Sequence, residues 1–95
     1  MDVHLLKLRR ECHESAGQYH RAMEQWQTVS RSQEQEGTVS ETLQQYREIA
    51  ANYHIALEAL SAYLLTLEPT KLVTEEVARA LKLQDILDQE IKLIL

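Results

Sequence analysis

The sequence predicts an all-α fold: a long antiparallel helical hairpin of coiled-coil type, completed into a three-helix bundle by a shorter third helix. Two observations carry this. The 95 residues include no Phe, one Pro and two Gly, so residues that interrupt helices are scarce. Two stretches also keep the alternating three- and four-residue spacing of a heptad seam. The first runs through Leu5, Leu8, Cys12, Ser15, Tyr19, Ala22, Trp26 and Val29, and the second through Val39, Leu43, Tyr46, Ala50, Tyr53, Leu57, Leu60, Leu64 and Leu67. Laid in opposite directions, the seams match layer by layer wherever two residue numbers add to 72. Trp26 then faces Tyr46, Ala22 faces Ala50, Tyr19 faces Tyr53 and Leu8 faces Leu64.

The first helix is expected over residues 2–32. The apolar period fails across residues 31–37, and Gly37 suits a helix C-terminal cap. The second helix is expected over 38–67. Thr38 with Glu41 three residues later reads as a capping box, and Pro69 ends the helix because its ring and missing N–H disfavour continuation. The third is expected over 74–94, with Thr74 as N-cap and Glu75 and Glu76 set against the macrodipole. Its apolar face is Val73, Val77, Ala80, Leu87, Ile91 and Ile94, interrupted by Gln84. Ile49, Ala56 and Tyr63 form a further stripe on helix two, as suits a helix with two neighbours. All 95 residues read as a single helical domain.

Fifteen acidic against ten basic residues give a net charge of −5, a poor balance for the phosphate contacts that drive nucleic-acid binding. Lys7, Arg9 and Arg10 cluster, but three charges within a helical turn read as a solvated face. Cys12 is the sole cysteine and lies on the seam, where a free thiol behaves as a small buried hydrophobe. Neither a signal-peptide core nor a membrane-length apolar run is present, so a cytoplasmic protein without membrane insertion is expected.

Little in the chain suggests a reaction. The four histidines lack the Glu-x-x-His unit that helical di-metal sites present, so no metal is expected. Tyr19, Trp26, Tyr46 and Tyr53 hold heptad register and read as core layers, so no cofactor is expected either. One short segment, Arg47-Glu-Ile-Ala-Ala-Asn-Tyr-His54, resembles the Arg-then-His spacing of the HEPN ribonuclease motif. That resemblance implies a helical nuclease using Arg47 and His54, as an alternative to a non-catalytic protein.

The carboxyl-terminal Ile-Lys-Leu-Ile-Leu is apolar over more faces than one hairpin can cover, which marks an interaction surface. The leading expectation is a small acidic adaptor or chaperone that receives a partner's amphipathic helix. Its contacts would be Met23, Trp26 and Ile49 where helix three falls short, or Leu83, Ile86, Leu93 and Leu95 on the flank of helix three. Small size, acidity and an amphipathic last helix are similar to the helical chaperones of bacterial secretion systems, and the layout is similar to spectrin-like and BAG-like bundles. The alternative is a homo-oligomer joined through helix three.

Overall fold

The computed structural model describes the backbone of residues 2–31 and 36–94, with side chains throughout these except at 36–38 and 94. The chain forms three helices, α1 (Val3–Arg31), α2 (Glu36–Leu64) and α3 (Lys71–Ile94). Asp2 starts α1 as its N-cap: Oδ1 accepts the Leu5 N–H at 3.0 Å. Its other oxygen accepts the Tyr63 hydroxyl at 2.6 Å, tying the start of α1 to the end of α2 as an antiparallel hairpin requires.

The helix boundaries depart from the expected ones, and local hydrogen bonding explains two of the shifts. α2 is already helical at Glu36, so Thr38 and Glu41 lie inside it and Gly37 belongs to α2 rather than closing α1. Of the connection expected at 33–37, residues 33–35 lie outside the described residues. At its other end α2 stops at Leu64 instead of Leu67. There the Thr66 N–H reaches the Tyr63 carbonyl at 3.0 Å and the Leu67 N–H reaches that of Leu64 at 3.1 Å, a tightened i→i+3 turn ahead of Pro69. α3 starts before Thr74 because Thr70 is the cap: its Oγ1 accepts the Val73 N–H at 3.2 Å. The Thr70 carbonyl accepts the Thr74 N–H at 2.9 Å, the first helical bond. Glu75 and Glu76 therefore fall beyond the first turn, where the macrodipole has largely faded.

α1 and α3 both pack on α2, yet no Cα of α1 comes within 8 Å of a Cα of α3 among the described residues. The molecule is accordingly long and flattened, 52 × 23 × 15 Å. The seam register holds in the middle of the hairpin, where the Tyr19 and Tyr53 rings lie 5.6 Å apart. Ala50 and Leu64 are fully buried, and Leu87 is 2 % exposed where α3 meets α2. Gln84, the polar interruption in the α3 stripe, is satisfied by α2: its Nε2 donates to Ser61 Oγ at 3.0 Å and to the Leu57 carbonyl at 3.4 Å. The Cys12 thiol donates to the Ala56 carbonyl at 3.2 Å. Burial, with the charges of Glu11 and Glu76, pushes that thiol up to about 11, so it stays protonated and inert at neutral pH.

Candidate functional site

Two helices whose backbones stand apart over a shared floor make a trough. α2 supplies the floor with Tyr53, Leu57 and Leu60, α1 one wall with Cys12, His13 and Ala16, and α3 the other with Ala80 and Leu83. Small residues at Ala16 and Ala80 keep the walls thin, and the space enclosed is about 580 Å³. Toward the hairpin tip lies a second, separate depression of about 460 Å³, bordered by Met23, Trp26, Leu43, Tyr46, Glu90 and Leu93.

Two polar clamps join the walls. Near one end Arg9 of α1 grips Glu76 of α3 bidentately, Nε to Oε2 at 2.9 Å and a second nitrogen to Oε1 at 2.6 Å. The guanidinium holds the Glu76 carboxyl below the ordinary glutamate range, with burial opposing. Folded Glu76 thus binds its proton less readily than unfolded Glu76, so the contribution is present at neutral pH and fades as pH falls below about 4.3. Arg9 is half-exposed, which limits the pair to less than about 1 kcal/mol. Glu76→Gln should therefore lose less stability than the wild type between pH 5 and pH 3 in urea melts. Equal losses would show that the clamp contributes nothing.

Near the other end Glu90 of α3 accepts hydroxyls from both Tyr19 of α1 and Tyr46 of α2. The two hydroxyls lie 3.4 Å apart, and the rings meet edge to face at 5.8 Å. Burial first, then the Glu90 carboxylate, raises Tyr19 well above the ordinary phenol range, so its hydroxyl remains a donor. Sequence reasoning missed Glu90 and Glu76. The signal was available: each sits on the α3 stripe Leu72, Glu76, Arg79, Leu83, Ile86, Glu90, Leu93, where a charge among aliphatics calls for a partner.

Of the expected contact residues, the structure brings Met23, Trp26 and Leu93 around the tip depression and sets Leu83 on the larger trough. Ile86, 48 % exposed, lies between them along α3. Ile49 is placed differently: it packs against the core from a half-buried position and borders neither depression. Leu95 lies outside the described residues. Arg47 borders a shallow dip with Ser40, Leu43 and Gln44, while His54 Nδ1 sits 2.9 Å from Glu58 Oε1 one helical turn on. Among the described residues, no three His, Cys, Asp or Glu side chains converge as a metal would need, and no helix is long and apolar enough to cross a membrane. No protein-family model, curated protein or solved structure matches this chain.

Proposed function

We propose that this protein is a non-catalytic helical interaction module, a small cytoplasmic adaptor or chaperone whose trough receives an amphipathic helix. The observation that carries this is the open fourth side of the bundle. α1 and α3 each rest on α2 with their backbones apart and side chains bridging at Glu76 and Glu90, which leaves a gap on the side that a fourth helix occupies in a four-helix bundle. The floor is apolar and the rims carry Arg9, His13, Glu76 and Arg79, the layout of helix-in-groove recognition with apolar anchors and charged edges. Self-association is a second reading, favoured by the exposure of Leu83, Ile86 and Leu93 on one wall.

Trp26 is the sole tryptophan and borders the tip depression, so its emission reports a helix laid along the bundle as far as the tip. Titration with a synthetic amphipathic peptide, leucines at i, i+3, i+4 and i+7, should shift that emission to the blue and saturate. Ala16→Arg, which fills the trough between its walls, should weaken the binding at least tenfold while helicity is unchanged. A peptide with the same composition in scrambled order should give no response. If ordered and scrambled peptides act alike, the trough is not a helix site.

A further inference from the structure

The α3 residues that border the two depressions, Glu76, Arg79, Leu83, Glu90 and Leu93, belong to a heptad seam, Leu72, Glu76, Arg79, Leu83, Ile86, Glu90 and Leu93, spaced four and three apart in turn. Leu83 is 37 % exposed, Ile86 48 % and Leu93 87 %, so the described residues leave the aliphatic members of the seam open, while Glu76 and Glu90 are met by Arg9, Tyr19 and Tyr46. We propose that its cover is the same seam of a second copy, laid antiparallel so that facing residue numbers add to 169. This rests on reading the trough as a helix site and names its occupant.

Charge complementarity selects that register. At 169, Leu83 faces Ile86 of the second copy and Arg79 faces its Glu90, and two-fold symmetry repeats both layers. Four apolar side chains form the centre, and an arginine–carboxylate pair closes each side. Slipping by one heptad toward the amino terminus sets Arg79 against Leu83 and Glu76 against Ile86, and slipping the other way sets Ile86 against Glu90. Each slip buries a charge opposite an aliphatic side chain, which is costly. Glu90 already accepts the Tyr19 and Tyr46 hydroxyls, but a carboxylate has about four lone-pair sites and so retains capacity for an arginine. At the ends, Glu76 meets Leu93 of the second copy with its charge already matched by Arg9.

Topology agrees. The Arg9–Glu76 and Tyr19–Glu90 contacts show that α1 and α3 run parallel, with α2 opposed to both. An incoming α3 that opposes its own copy also opposes α1 and lies diagonal to α2. Every adjacent pair is then antiparallel, the up-down-up-down arrangement. Each protomer fills the trough of the other with the helix that forms one of its own walls.

The test uses the full chain. Light scattering over a hundredfold concentration range should show a monomer–dimer equilibrium. Spin labels at Glu75→Cys, Asp85→Cys and Lys92→Cys, in a Cys12→Ser background that keeps helicity and mass, should then report antiparallel geometry. At 1.5 Å per residue, axial separations are about 28 Å for position 75, near zero for 85 and about 22 Å for 92. Arg79→Glu, which sets like charges across the seam, should raise the dimer dissociation constant at least tenfold without loss of helicity. A monomer at every concentration, equal distances at all three positions, or a dimer indifferent to Arg79→Glu would overturn the proposal. If the chain stays monomeric yet Trp26 still responds to the amphipathic peptide, the trough reading survives and only its occupant is wrong. If neither occurs, both fall.

Discussion

Leu64→Ala is expected to lower stability by about 3 kcal/mol, within the 2–5 kcal/mol typical of a fully buried leucine cut to alanine. Leu64 is 0 % exposed and lies where the end of α2 meets the start of α3, beside Leu67, Val73 and Val77. The hairpin register sets Leu8 of α1 at the same level, and Leu8 is also buried. One side chain therefore seals the junction of all three helices, next to the turn held by Pro69. That turn is short and capped by Thr70, which leaves the helices little freedom to collapse into the void. A domain of this size loses about 4–8 °C of melting temperature per kcal/mol, so the midpoint should drop by about 15 °C. A drop under about 5 °C by calorimetry would mean that the junction relaxes and that the tight packing of this layer is not what secures the fold.

Ala50→Leu should be nearly as damaging for the opposite reason. Ala50 is 0 % exposed and Ala22, its expected partner on α1, is also buried. One helical turn away the Tyr19 and Tyr53 rings sit 5.6 Å apart, so the two helices are locked at that spacing just where the alanines face each other. Three added carbons have no room and must force the helices apart or displace the tyrosines, at about 1–3 kcal/mol or more. The tyrosine near-ultraviolet circular dichroism should weaken together with the melting temperature. Retention of both would show that the alanine layer is not a close approach.

The sequence made the seams legible because burial on a helix leaves a period. Leu8, Cys12, Tyr19, Ala22 and Val29 on α1, and Tyr46, Ala50, Tyr53, Leu57, Leu60 and Leu64 on α2, are the buried residues of the hairpin that the spacing picks out. The helix starts were less legible. Two threonines one turn apart, Thr70 and Thr74, both fit an N-cap, and only the hydroxyl bond to Val73 distinguishes them. The clamps were hidden more deeply. A periodicity argument marks Glu76 and Glu90 as polar, but their partners Arg9, Tyr19 and Tyr46 are 44 to 71 residues away and are identified only by how α1 and α3 straddle α2. The trough follows from the same arrangement, since no single helix pattern records that the backbones of two helices stay apart.

That arrangement also sets the order in which the chain can assemble. α2 is the backbone neighbour of both other helices, so the domain is two hairpins that share one helix, each closed by a short connection. Contacts of this kind are local in sequence, and helical bundles built from them fold on the order of microseconds to milliseconds. As the chain is synthesised, α1 and α2 can pair before α3 exists. Until α3 emerges, the nascent hairpin leaves open the face of α2 on which the Leu57 carbonyl and Ser61 later meet Gln84, and α3 arrives as the cover for a surface already made.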